Sequence, residues 1–264
     1  MGILAALISA ALCALLYVRM IKREKPEPMP KKRASTPVMA GLFAPILVTV
    51  LTIGIALAVR AMTGGRSLSD IIQNLVLSSL VGSFLRAGFT EELVKFLLFL
   101  VIVKRLRPEN VYEYAVLAAG IGFGFTVLEE SAYGGGEVVT ALLRLPGFAM
   151  HMVLGLIMGL YLGLAQYRKQ RGESGGRETC LALLLPTLWH TVYDAATTAN
   201  AALSAEDGFV QFQGLLVGLA VVVVLTVLQF VVLLLFKKST EKLCGMEIAA
   251  SGKERTALTR EQSK

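Results

Sequence analysis

Apolar residues fall in long blocks along this chain, and each block ends in charge, glycine or a polar loop. About 18–20 apolar residues make a helix long enough to cross a hydrocarbon core. Blocks at 2–18, 38–59, 84–103, 112–133, 145–167, 180–200 and 210–236 approach or meet that length. They predict an all-α, polytopic integral membrane protein with about seven transmembrane helices. Residues 68–103 are too long for one crossing, because about 36 helical residues rise roughly 54 Å. Leu68, Ile71, Ile72, Leu75 and Val76 recur at helical spacing with Asp70, Gln73 and Asn74 opposite. That pattern predicts an amphipathic or re-entrant helix near 68–88, ahead of the third span.

The breaks between blocks set the organisation. Pro26, Pro28, Pro30 and Pro37 interleave with Lys31, Lys32 and Arg33, the composition of an extended exposed loop. The chain therefore divides into a first helix with a basic, proline-rich cytoplasmic loop (1–37), a transmembrane core (38–236) and a polar, poorly ordered cytoplasmic tail (237–264). Basic runs follow the first, third, fifth and seventh blocks: Arg19 to Lys25, Lys104 to Arg107, Arg168 to Arg171, and Lys237 with Lys238. Cytoplasmic loops concentrate lysine and arginine. All four runs share one side if the amino terminus lies outside and the carboxy terminus in the cytoplasm. A full span at 68–88 would break that parity and turn Lys104 to Arg107 outward.

Composition agrees with the blocks. Hydrophobic residues make up 55% of 264, and the mean hydropathy is +0.66, more apolar surface than a water-soluble fold covers. The net charge of +7 comes largely from the basic runs, which face anionic lipid. Nucleic acid is not an expected partner, because no basic patch has a soluble domain beside it. Cys13, Cys180 and Cys244 have no metal-type spacing. Residues 1–18 lack a positive segment before them and read as an uncleaved first span rather than a signal peptide. Gly120 and Gly124, then Gly155, Gly159 and Gly163, repeat at helical spacing and allow helix backbones to approach closely.

Against this background the ionisable residues inside the blocks stand out, since each costs about 2.5–3.5 kcal/mol at mid-bilayer. The third block carries Glu91, Glu92 and Lys95. Glu91 and Lys95 are one turn apart and can pair, leaving Glu92 to face a cavity. The fourth carries Phe125, Glu129, Glu130 and Tyr133. Glu129 and Tyr133 share a face, while Glu130 lies near an interface where a carboxylate is cheap. The fifth carries His151, and the sixth carries His190 one turn before Asp194, which can orient the imidazole or join it as a ligand. Both histidines of the chain thus lie within apolar blocks. Counted at helical rise from the cytoplasmic ends, Glu91, Glu129, His151 and His190 lie roughly 17–27 Å deep, so one shared site is possible.

These residues resemble the signatures of PrsW-type intramembrane proteases: Glu91-Glu92-x-x-Lys95, then Phe125-x-x-x-Glu129 with Tyr133, then His190-x-x-x-Asp194. His151 stands where that family also places a histidine, and the resemblance runs over about 38–200. The more distant CAAX prenyl endopeptidases carry arginine one residue later than Lys95, and histidine in place of Glu129. Those differences favour the PrsW branch. A zincin lacks its HExxH motif here, a rhomboid its intramembrane GxSG, and a presenilin-type enzyme its second intramembrane aspartate and GxGD.

The resemblance implies cleavage of a single-span, membrane-anchored regulatory protein of the anti-sigma-factor type near the outer face. Peptide hydrolysis needs an activated water, an acid and oxyanion stabilisation. Glu91 or Glu92 is the expected base. His190 stabilises the oxyanion or donates a proton, and Asp194 orients it. Glu129 and His151 complete the water or metal site, with Lys95, Phe125 and Tyr133 in support. A Zn2+ site drawn from His151, His190, Glu129 and Asp194 and a metal-free glutamate mechanism both remain open. A proton-coupled transporter is the competing class, but the internal symmetry typical of transporters is absent. A non-catalytic scaffold would gain nothing from buried charge.

Overall fold

The computed structural model describes residues 2–66, 71–133, 147–197 and 208–248. The side chain of Tyr133, the 134–146 stretch with its glycine run, the loop at Glu206 and Asp207, and the end of the tail lie outside the described residues. The architecture is all α. Helices α1 (Gly2–Arg23), α2 (Lys31–Met62) and α3 (Leu75–Ser83) come first. A π-helical turn (Phe84–Gly88) joins α3 to α4 (Phe89–Leu106). Then follow α5 (Val111–Tyr133), α6 (Met150–Lys169), α7 (Gly176–Thr197), α8 (Gly208–Lys238) and the short α9 (Thr240–Cys244).

Four stretches among the described residues are long and apolar enough to cross a membrane: Lys31–Met62, Val111–Ser131, Met150–Lys169 and Phe212–Lys238. The protein is therefore polytopic. Helix α4 falls short of that standard because it carries Glu91, Glu92, Lys95, Lys104 and Arg105 in 18 residues. The residues that mark it as functional are the ones that lower its apolarity.

Helix α5 forms the centre, packed against α1, α2 and most extensively α6. Val116, Leu117 and Ala119 are fully buried there. Small residues make the approach possible. A Cβ on Gly122 would sit 2.0 Å from the His151 carbonyl oxygen of α6. Helix α7 packs on α6 and on the π turn. Helix α8 lies outermost, turning Val222, Gln229 and Phe236 inward and exposing Val217, Val223, Val224 and Val227. Such an apolar exterior belongs in lipid.

Two local expectations change. The basic stretch Lys31 to Arg33 is the first turn of α2 rather than extended loop, with Pro30 as its N-cap and Pro37 and Pro45 inside the helix. Pro30 accepts from the backbone N–H groups of Arg33 and Ala34. Arg33 then reaches the α4–α5 connection, donating to the carbonyls of Leu106 (2.9 Å) and Arg107 (2.7 Å) and pairing with Glu113 at 2.9 Å. These contacts anchor the first turn, so Pro37's missing donor is tolerated one turn further on.

Leu68 and Asp70 of the 68–88 segment lie outside the described residues; beyond them α3 starts at Leu75, where the Asn74 side chain accepts from the Leu77 N–H (3.0 Å), and it runs through the π turn into α4 without a break. Part of the polar tail is ordered. Leu243, Cys244 and Ile248 are buried, and the Ile248 N–H donates to the Glu109 carbonyl at 2.7 Å. Three apolar residues in a polar sequence are enough to dock α9 beneath α5.

Candidate active site

The site is assembled where α4 begins. A π-helical turn accommodates an extra residue and shifts the helical phase, and such turns recur at functional sites. Its last residue, Gly88, abuts α7: a Cβ there would lie 2.1 Å from the Thr191 hydroxyl oxygen and 3.0 Å from the Thr187 carbonyl oxygen. The missing side chain lets α7 press onto the first turn of α4. That contact brings His190 of α7 against Glu91 and Glu92.

Glu92 and His190 are completely buried, and Lys95 and His151 nearly so. Lys95 sits among the others. Its Nζ lies 3.3 Å from Glu91 Oε2, 2.9 Å from Glu92 Oε1 and 3.0 Å from His151 Nδ1. It also lies 3.8 Å from the centre of the Phe125 ring, a cation–π contact. Glu92 also accepts from His190 Nδ1 at 2.9 Å. His151 is fixed from its other side by Glu129, which bonds Nε2. A proton on Nε2 of His151 satisfies both of its contacts, leaving Nδ1 to accept from Lys95. The two imidazole rings meet edge to face, 5.0 Å between centres.

These distances resolve what spacing left open. Lys95 pairs with both glutamates and more closely with Glu92. The second glutamate is held between Lys95 and His190 rather than facing an open cavity. Asp194 Oδ1 lies 3.7 Å from His190 Nε2, while Nδ1 of the same ring bonds Glu92. The strongest orientation of His190 therefore comes from α4, not from its neighbour one turn along. No periodicity reveals such a pairing, because the two residues lie 98 positions apart. Glu130 is half-buried in α5.

The metal question has a structural test. Glu91, Glu92, His151 and His190 each offer one ligand atom, and these atoms lie within 4.8 Å of one another. Glu92 Oε2 and His190 Nε2 are buried without a hydrogen-bond partner among the described residues. Buried polar atoms left unpaired are costly, and a cation would satisfy both. The donor types, imidazole nitrogen and carboxylate oxygen, suit zinc. His151 donating its second ring nitrogen to a carboxylate is the usual outer support of a histidine ligand. The residues therefore fit a divalent metal. Glu91 and Glu92 take the places in this tight group that the sequence reading gives to Glu129 and Asp194, which instead flank it through the histidines.

A helical membrane protein with buried glutamates, histidines and a lysine on four adjoining helices has the makings of a water-activating centre. The sequence profile described as PrsW family intramembrane metalloprotease matches residues 34–236, and the chain belongs to that family. Among curated proteins it is similar to the protein named Protease PrsW of Bacillus subtilis strain 168, with 32% identity over 120 residues. It is also similar to the proteins of the same name from Halalkalibacterium halodurans (31%) and Oceanobacillus iheyensis (30%). Each match covers 44% of this chain and 54% of the relative, so the chain spans about half the length of the curated relatives it matches. No solved structure matches the chain.

Proposed function

We propose that this protein is an intramembrane endopeptidase that hydrolyses a peptide bond of a membrane-anchored protein. The observation that carries the reading is the buried Glu91, Glu92, His151 and His190 group on α4, α6 and α7. The family match supports it. A site of this kind places ionisable groups in a low-dielectric interior, where their attraction for developing charge is far stronger than in water.

Each residue has a chemical task. Glu91 is the more open carboxylate, with about a tenth of its side chain exposed against none for Glu92. It takes a proton from the attacking water as the water oxygen bonds the scissile carbonyl carbon. The free edge of His190, at Nε2, faces Glu91 and Asp194 at 3.7 Å each. With Nδ1 donating to Glu92, Nε2 keeps the lone pair that a metal would need, and Glu91 returns the proton it took from water to the departing amine. Glu92 holds the opposite edge of that ring, and Glu129 holds His151. Glu91, Glu92, His151 and His190 would hold the metal, and a bound zinc ion would supply Lewis acidity toward the carbonyl oxygen.

The partner in this reading is a single-span protein, of the anti-sigma-factor type the sequence resemblance implies, cut near the outer face. Seven spans with the amino terminus outside and the carboxy terminus in the cytoplasm fit the basic runs. Proteolysis of a panel of single-span proteins in liposomes containing the wild-type protein tests this, with and without a chelator. Cleavage of at least one panel member, abolished by chelation and restored by zinc, is the expected result. Substrate-dependent proton flux with no peptide product from any member would reject it in favour of transport.

A further inference from the structure

We propose that Lys95 and the metal are alternative occupants of one cation position, so that the lysine governs how tightly the centre binds a divalent ion. This rests on the metal reading above and goes beyond it, because it assigns the affinity to a residue that is not a ligand. The Lys95 ammonium already contacts an atom of three of the four candidate ligand residues, at 2.9–3.3 Å. Its remaining side is covered by the Phe125 ring at 3.8 Å. At 1% exposure it has no route by which solvent could screen its charge.

The spacing of the donors supports the same conclusion. Ligands arranged tetrahedrally around zinc at about 2.1 Å stand roughly 3.4 Å apart. Acceptors arranged tetrahedrally around an ammonium at ~3.0 Å stand roughly 4.9 Å apart. The four donor atoms here lie no more than 4.8 Å apart, and three of the four residues already hold an atom 2.9–3.3 Å from Nζ, the distance of an ammonium contact rather than of a zinc bond. Binding a divalent ion therefore requires the donors to close in, and Nζ to withdraw from the position it shares with Glu91, Glu92 and His151. A second cation a few ångströms from the metal would repel it in an interior with little screening. Lys95 thus keeps the two glutamates and His151 gathered and, by the same contacts, opposes the metal.

The test is equilibrium zinc binding to the purified full chain in detergent, in competition with a chromophoric chelator, for wild type, Lys95→Met, Lys95→Arg and His190→Ala. Lys95→Met removes the charge at similar length and is expected to bind zinc at least tenfold more tightly than wild type. Lys95→Arg, which keeps a cation, binds no more tightly than wild type, and His190→Ala loses the site. Thermal unfolding with and without zinc gives an independent readout: zinc raises the Tm of Lys95→Met more than that of wild type. A Lys95→Met protein that folds only with zinc follows the expected direction.

Equal or weaker binding by Lys95→Met overturns the proposal, as does failure of that variant to fold with or without zinc. Absence of saturable zinc uptake in every variant overturns it too. Proteolysis measured on the same preparations separates this failure from that of the proposed function. Chelator-resistant cleavage without zinc uptake would leave hydrolysis standing and remove only the metal competition.

Discussion

The tightest constraint on the site is the contact between α5 and α6, and Gly122→Ala perturbs it with one methyl group. The added Cβ would lie 2.0 Å from the His151 carbonyl oxygen, 2.5 Å from its carbon and 2.8 Å from the Met152 nitrogen. Ordinary contact begins near 3.4 Å, so the two backbones must part by about 1.4 Å where His151 is held. Overpacking of this kind costs about 1–3 kcal/mol. The effect on chemistry is larger, because roughly 1 Å of misplacement can cost about 100-fold in rate. Gly54→Ala is the matched control, since a Cβ there meets nothing within 4 Å. In a liposome cleavage assay with thermal unfolding in parallel, Gly122→Ala should lose about 100-fold in rate and remain folded, while Gly54→Ala matches wild type. Wild-type cleavage by Gly122→Ala would refute the argument that backbone contact positions His151.

Further outcomes follow from other contacts. Glu129→Gln removes the carboxylate that holds Nε2 of His151, and cleavage should fall roughly 10–100-fold, with zinc affinity falling in step. Removing Arg33 as Arg33→Met leaves the buried Glu113 uncompensated and should lower stability by roughly 2–3 kcal/mol in denaturant unfolding, a discount from a fully buried pair because the arginine is partly exposed. In the connection after α1, burial and then the charge of Glu113 push the Glu24 carboxyl up to about 7. The native state thus keeps a proton that the unfolded chain releases near its ordinary value. The stability Glu24 contributes is full below that ordinary value and is lost as pH rises through about 7. The Tm should therefore fall between about pH 5 and 8, and Glu24→Gln should flatten that profile.

Much of the site was legible because lipid makes polar residues conspicuous. Glu91, Glu92, Lys95, Glu129, His151 and His190 could be picked out as costly residues inside apolar blocks, and the structure brings them together. Their pairing was less legible. Glu92 with His190 and Lys95 with His151 are contacts across the bundle, set by how Gly88 and Gly122 let helices approach. A helical wheel for α4 alone favours Glu91 as the lysine's partner, and only the packed neighbours bring Glu92 closer. The network of Arg33, Glu109 and Glu113 was missed because charges at helix ends read as solvated anchors. A signal was nevertheless present in Glu113, an acid just inside the start of an otherwise apolar block. The ordered part of the tail was hidden for a related reason: Leu243, Cys244 and Ile248 are too few to form an apolar run.

The central claim is that the glutamate–histidine group carries out hydrolysis. The most direct measurement is single-turnover cleavage of one liposome-embedded substrate by wild type, Glu91→Gln and His190→Ala, each first shown to be folded by thermal unfolding. Wild type should give product and both variants should lose at least about 1000-fold in rate, the scale expected when a base or its partner is removed from a preorganised site. Cleavage at the wild-type rate by folded Glu91→Gln and His190→Ala would contradict that claim and move the active site elsewhere in the chain.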